Sequence, residues 1–265
     1  MKKKESAEIL SQEEISKDIY SLVLKVSFAK DVKAGQFVSL FERDASHLMP
    51  RPISVCETDP EKGTIRLVYR VVGQGTDAFS KMKAHHHVDV LGPLGNGFPI
   101  EKMAGKRVLL MGGGIGIPPV LSCAEAFQRL PEHEQPSEVT FAVGYRTNDM
   151  YLYEDLQKQA PVVVSTDDGS FGTHGTVIDA VRANKIRADV IFACGPRPML
   201  RGIKNFAEDR EMECYISMEE HMACGVGVCL GCITKTVDVD DHSRVKNARV
   251  CKDGPIFNAE EVDLT

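Results

Sequence analysis

Cys224, Cys229 and Cys232 follow the spacing C-x4-C-x2-C, and a fourth cysteine, Cys251, stands 19 positions further on. This is the plant-type pattern of a 2Fe-2S cluster, so it predicts chemistry in single electrons. The segment reads Cys224-Gly225-Val226-Gly227-Val228-Cys229-Leu230-Gly231-Cys232. Its glycines let backbone N–H groups turn inward, toward sulfides and thiolates that carry net negative charge. Four thiolates also suit a tetrahedral zinc ion, whose usual mark is two short C-x2-C pairs. Here three cysteines crowd nine residues and one arrives from afar, which favours the cluster. Zinc stays open as the competing reading.

Further signals lie upstream. A predicted strand runs into Gly112-Gly113-Gly114-Ile115-Gly116-Ile117-Pro118-Pro119 and then a helical segment. Glycines there allow a backbone to approach a pyrophosphate, and a helix start presents free N–H groups to it. Proline fits the first helical turn, where its missing N–H is not needed. The spacing is not the full G-x-G-x-x-G, since proline occupies the last glycine position. Tight strand-helix packing is the alternative use of such a turn. Cys194-Gly195-Pro196 ends a later strand, where open parallel sheets place their ligands, and the thiol could flank a nicotinamide ring or end the strand as a buried apolar group. Asp167 and Asp168 could accept hydrogen bonds from ribose hydroxyls and repel a 2′-phosphate, whereas Arg146 could meet one. Earlier still, Arg51-Pro52-Ile53-Ser54 sets a guanidinium suited to phosphate three residues from a hydroxyl that could meet a flavin edge. Gly73-Gln74-Gly75-Thr76 offers backbone donors and a hydroxyl for the other side of a diphosphate.

The elements that must carry these residues are legible in outline. Residues 20–26, 35–41, 51–55 and 64–72 are β-branched or alternating runs separated by turn residues, which predicts an antiparallel barrel. From about residue 105, apolar strands at 108–111, 139–143, 162–166 and 190–193 alternate with helical periods at 120–130, 176–184 and 199–208. That alternation predicts a doubly wound parallel α/β sheet. The expected units are 1–102, a barrel; 103–213, the α/β nucleotide domain; and 214–265, a small cysteine-bearing module.

Bulk properties exclude other classes. With 265 residues and 43% hydrophobic content the chain can bury a substantial core. A net charge of -6 argues against nucleic acid as partner, and the absence of Trp against a base-stacking surface. The longest uncharged stretch, 108–124, has 17 residues, four glycines and two prolines, too short and broken for a membrane span. No apolar segment follows Lys2-Lys3-Lys4, so a cytoplasmic location with reduced thiols is expected, rather than disulfides. The run His85-His86-His87 reads as an exposed turn.

Arg51-Pro52-Ile53-Ser54, Val68-Tyr69-Arg70, Gly75-Thr76, residues 112–119, Cys194-Gly195-Pro196 and the four cysteines occur in the order of the ferredoxin-reductase flavoprotein family, which the chain resembles over nearly its whole length. Within that family it is similar to the electron-transfer subunits of dihydroorotate dehydrogenase B, on the phrases 34–38, 91–98, 222–225 and 251–255. The resemblance implies FAD held by Arg51, Pro52, Ile53, Ser54, Val68, Tyr69, Arg70, Gly75 and Thr76. It implies NAD at the 112–116 turn, and a 2Fe-2S cluster on Cys224, Cys229, Cys232 and Cys251. An FMN-containing catalytic subunit would oxidise dihydroorotate, in a heterotetramer of two of each subunit serving UMP synthesis, and this chain would carry the electrons through cluster and FAD to NAD. No general acid or base for orotate chemistry stands out. There are two departures: Pro52 and Ile53 stand where many relatives outside this subfamily have a flavin-stacking tyrosine, which implies an uncovered or aliphatic-covered flavin face, and His221 stands where arginine is expected.

Overall fold

The computed structural model describes residues 2–42, 49–239 and 244–265. Strands β1 (Lys3–Ser16), β2 (Ile19–Lys25), β3 (Phe37–Phe41), β4 (Arg51–Asp59) and β5 (Thr64–Arg70) precede a short helix α1 (Gln74–Ser80) and strand β6 (His87–Leu94). They close into an antiparallel barrel of order β1-β2-β5-β4-β3-β6. Alternation drives the closure, because Val38, Leu40, Val55, Ile65, Leu67, Tyr69, Val88 and Val90 all point into one barrel core. The long β1 does two jobs: Lys3 to Glu8 pairs with β6, and Glu8 to Ser16 pairs with β2.

The chain then alternates β7 (Arg107–Gly113), α2 (Ile117–Gln128), β8 (Glu138–Tyr145), α3 (Tyr153–Gln159), β9 (Val162–Thr166), β10 (Thr173–His174), α4 (Val177–Ala183), β11 (Val190–Cys194), α5 (Arg197–Glu208) and β12 (Glu213–Ser217). A hairpin of β13 (Ile233–Lys235) and β14 (Asn247–Arg249) and a last strand β15 (Ile256–Asn258) follow. One sheet of order β10-β9-β8-β7-β11-β12-β15 results, parallel except for β15, which adds antiparallel to β12. Its two faces carry different cores. Val120, Leu121, Phe127 and Leu156 of α2 and α3 cover one, and Val177, Val181, Leu200, Ile203 and Phe206 of α4 and α5 cover the other. Among the described residues no helix is long and apolar enough to cross a membrane.

Apolar contact joins the units: Ile19, Cys56 and Val68 of the barrel belong to the first core, and Phe37 and Leu94 to the second, together with Cys232, Val250 and Cys251. Asn96, just past β6, adds a polar clasp. Its main-chain N–H donates to the Gly254 carbonyl at 2.7 Å, and its side-chain amide donates to the Ile256 carbonyl at 2.8 Å and to that of Asp253 at 3.1 Å. Its Oδ1 accepts from the Ile256 N–H at 2.9 Å. The amide thereby pairs with the last strand as another strand would.

A charged network lies where the barrel meets α2 and α3. Arg66 Nη1 donates to Glu57 at 2.7 Å and to Asp155 at 2.9 Å. Glu125 of α2 is pushed up to about 7, first by burial and then by the Glu57 carboxylate. Its folded pKa thus exceeds the ordinary 4.5, so the folded state holds an extra proton between about pH 4.5 and 7, and stability falls as pH rises through that window. Glu125→Gln should abolish the fall. Its thermal midpoint should match the parent's near pH 4.5 and exceed it by several degrees above pH 7, on the order of 2 kcal/mol. A difference that stays constant across a pH series of melting curves would refute burial of this carboxyl as the cause.

Candidate functional site

The cysteine loop leaves the end of β12 and enters β13, so the large sheet anchors one of its ends and the small β13–β14 hairpin the other. Positive φ at Gly225, Gly227 and Leu230 curls it around its own sulfurs. The N–H groups of Val226, Val228 and Cys229 donate to Cys224 Sγ at 3.5, 3.4 and 3.4 Å. Gly231 N–H serves Cys229 Sγ, and Cys251 N–H serves Cys232 Sγ, each at 3.4 Å. Burial works against the Cys224 thiolate, yet the amides prevail and bring this thiol down to about 6. Burial, then contact with Cys232, pushes Cys251 up to about 12.

The thiols gather as two contacting pairs, Cys224 with Cys229 and Cys232 with Cys251, and Cys224 lies within electrostatic reach of Cys251. Among the described residues no three ligand side chains close on a single-ion position. A donor set of four thiols lined by inward N–H groups fits a sulfide-bearing cluster, whose negative sulfurs those N–H groups would face. Cys232 and Cys251 are buried and Cys229 is exposed, so one edge of the set faces the interior and the other the surface.

On the barrel, β4 and β5 form the neighbouring wall. Arg51 pairs with Glu42 at 3.5 Å, and its guanidinium lies so close to Gly75 that a Cβ there would overlap Arg51 Nε. Arg51 and the start of α1 therefore stand side by side. The Thr76 hydroxyl turns back to cap its own helix, accepting from the N–H groups of Val72 at 2.9 Å and Gly73 at 3.2 Å. Along β5 the alternation separates the three predicted positions. Val68 faces the core shared with the α/β sheet, whereas the Tyr69 ring stacks on Tyr20 inside the barrel, so only its main chain is left for a ligand. Arg70 reaches the cleft, close enough to act electrostatically on Tyr151. Pro52, Ile53 and Ser54 are half-buried on β4.

Across the cleft, the glycine turn divides its labour. At Gly116 a Cβ would collide with the Cys194 carbonyl, and at Gly113 with Met199 Sδ, so these glycines serve close packing. Gly112 is similarly hemmed in by Ile117 and Val120. Gly114, with φ +51 and open space beside it, is the glycine that faces outward, and its carbonyl accepts a hydrogen bond from the Tyr151 hydroxyl. Cys194 pairs in register with Gly112 on one side and Ser217 on the other. It is buried, and burial followed by the charge of Glu219 raises its pKa far enough to keep a neutral thiol. Gly195 and Pro196 lead from it into α5. Asp167 and Asp168 lie exposed beyond β9, where Asp168 accepts from Ser170 Oγ at 2.6 Å and donates its N–H to the Arg146 carbonyl at 3.3 Å. His221 and His85 to His87 are exposed.

Two residues at this cleft escaped sequence reasoning. Tyr151 belongs to the Tyr151-Leu152-Tyr153 segment that leads from β8 into α3, and only the fold brings it to the turn. Glu219 keeps contact with solvent as a residue, yet desolvation raises its carboxyl, and it lies within electrostatic reach of Cys194. Its place five residues before Cys224 was the signal available, since it links the nucleotide side of the cleft to the cysteine loop.

Three family profiles match in succession. An oxidoreductase FAD-binding domain covers residues 6–98, an oxidoreductase NAD-binding domain covers 110–205, and the iron-sulfur cluster binding domain of dihydroorotate dehydrogenase B covers 219–263. FAD-, NAD- and iron-sulfur-binding domains are thus present in one chain. A dihydroorotate dehydrogenase B (NAD+) electron transfer subunit from Listeria welshimeri is 39% identical over 258 residues, 97% of each chain. That of Geobacillus sp. (strain WCH70) is 37% identical over the full length of both. Among solved structures, a chain of an NADH-dependent reduced ferredoxin-NADP oxidoreductase, described for flavin-based electron bifurcation, superposes with a TM-score of 0.84 at 30% identity, covering 97% of this chain and 90% of its own. A ferredoxin NADP+ reductase from Neisseria gonorrhoeae, 19% identical with a TM-score of 0.65 over 78% of this chain and 91% of its own, shares the fold. With barrel, glycine turn and cysteine loop all matched end to end, the chain belongs to the family of dihydroorotate dehydrogenase B electron-transfer subunits.

Proposed function

We propose that this chain carries electrons from the FMN of a dihydroorotate dehydrogenase catalytic subunit, through a 2Fe-2S cluster and FAD, to NAD+, in cytoplasmic UMP synthesis and as a heterotetramer of two copies of each subunit. The observation that supports the reading is that Tyr151 donates to the Gly114 carbonyl of the glycine turn and lies within electrostatic reach of Arg70 on the barrel, while Cys194 beside that turn lies within reach of Glu219, five residues before the cysteine loop. Bound there, the cluster would supply one-electron exchange, FAD the junction between one- and two-electron chemistry, and NAD+ the hydride acceptor.

The side chains divide the work of holding these groups. Cys224, Cys229, Cys232 and Cys251 ligate the cluster. Arg51 turns its fork to the flavin diphosphate, beside the main chain of Gly75 and Thr76. Pro52 and Ile53 offer aliphatic surface to the ring, Ser54 its hydroxyl, Val68 and Tyr69 their main chain and Arg70 a fixed charge. Opposite, Gly114 presents the open part of the Gly112 to Gly116 turn to the NAD pyrophosphate, with Gly112, Gly113 and Gly116 shaping it. Asp167 and Asp168 accept from ribose hydroxyls, and Cys194, Gly195 and Pro196 border the nicotinamide. A neutral thiol at Cys194 suits that place because it adds no charge beside a ring that changes charge on reduction. Val228 and Leu230, 79% and 60% exposed on either side of Cys229, form an apolar rim that suits a partner subunit. The reading assigns the acid-base chemistry of orotate formation to the partner.

Full-length protein co-expressed with an FMN subunit should be coloured, contain iron, FAD and FMN, and reduce NAD+ when given dihydroorotate. Colourless protein holding zinc would sink the reading. The 30% identity to a chain of a reduced ferredoxin-linked complex supports one alternative, and turnover with reduced ferredoxin but not dihydroorotate would establish it. Gly75→Ala should displace the Arg51 guanidinium and lower FAD affinity about tenfold, roughly 1.4 kcal/mol, with iron content unchanged. Equilibrium dialysis against FAD reads the effect, and undiminished affinity would remove Arg51 from the flavin site.

A further inference from the structure

Ser39 lies in the middle of β3 and is fully buried, and its hydroxyl has no hydrogen-bond partner among the described residues. Buried hydroxyls are rarely left so, because the loss of water goes uncompensated. The strand alternation fixes where this one points. Val38 and Leu40 face the barrel core, whereas Phe37 faces the core shared with the cysteine module, and Ser39 lies on the same side as Phe37. Ser39 Oγ stands 3.0 Å from where a Cβ of Gly225 would be, with Leu94 Cδ1 the next neighbour of that position at 3.4 Å. Gly225 directly follows Cys224, and the next residue, Val226, already donates its N–H to Cys224 Sγ. On its own sheet Ser39 pairs with Pro52 of β4. The hydroxyl therefore stands on the strand beside the proposed flavin wall and aims into the proposed cluster loop.

We propose that Ser39 is a tuning residue for the iron-sulfur cluster, its O–H donating to a cluster sulfur on the Cys224 side. The inference rests on the cluster reading above. The chemistry is specific: Phe37 on the same side of the strand and Leu94 beside Gly225 are apolar, whereas thiolate and sulfide sulfurs are acceptors whose charge grows when the cluster takes an electron. A donor there stabilises the reduced cluster and raises its potential. Gly225 is required for the approach, since any side chain at its position would meet the hydroxyl.

The test uses the full-length protein with iron and FAD bound, as purified, in redox titrations followed by electron paramagnetic resonance. Ser39→Ala removes the hydroxyl with little change of volume, and Ser39→Thr keeps it. At the ambient potential that half-reduces the parent cluster, Ser39→Ala should raise the oxidised-to-reduced ratio about tenfold, which is 59 mV for one electron. Ser39→Thr should stay within about twofold of the parent. A proton coupling to the reduced cluster that is present in H2O and lost on exchange into D2O should be seen in the parent and be absent in Ser39→Ala. An unchanged cluster potential with the proton coupling retained in Ser39→Ala would overturn the proposal, and so would a shift confined to the flavin. Parent protein without iron would instead refute the cluster reading on which the proposal stands.

Discussion

The arrangement depends on the clasp between Asn96 and the last strand. One side-chain amide donates to two carbonyls and accepts from one N–H, and the adjoining main chain adds a fourth bond, to Gly254. Asn96 itself is exposed, and behind the clasp Phe37 and Leu94 of the barrel share one apolar core with Val250 and Cys251. Because β15 is also a strand of the large sheet, a single contact fixes three things together: the barrel wall, the cysteine module and the edge of the nucleotide domain. Distances between redox groups held by such walls are set by this packing rather than by any linker.

Within that frame the site separates roles by burial. Cys232 and Cys251 face the interior while Cys229 reaches the surface, so the thiol set has an inner and an outer edge. The glycine turn shows the same economy, with Gly113 and Gly116 spent on packing and Gly114 left open. Burial keeps the thiol of Cys194 neutral, and desolvation raises the nearby Glu219 carboxyl above the ordinary carboxylate range.

Much of this was legible in the residues. Cysteine spacing marked the loop, and apolar runs located β2 to β5, β7 to β9 and β11, because buried strands in a barrel and a parallel sheet are β-rich and bounded by turns. The strand β1 was not legible, since a 14-residue segment with only Ala7 and Ile9 buried carries charges along most of its length. Nor was the joining of β12 and β15, which are distant in sequence and meet only through tertiary pairing. At the site, Arg51 and Gly75 were named separately, and their overlap became visible only in three dimensions. Thr76 and Tyr69 show the limit of motif reading: the residue types were noticed, yet one hydroxyl caps its own helix and one ring fills the barrel.

The antiparallel addition of β15 to β12 also bears on aggregation. A parallel sheet that ended at β12 would present an open edge, with a row of unpaired N–H and C=O groups ready to accept a strand from another molecule. In this chain the strand that closes the edge belongs to the cysteine module. Loss of that module's structure would therefore do more than remove a redox centre: it would also uncover a sheet edge open to pairing.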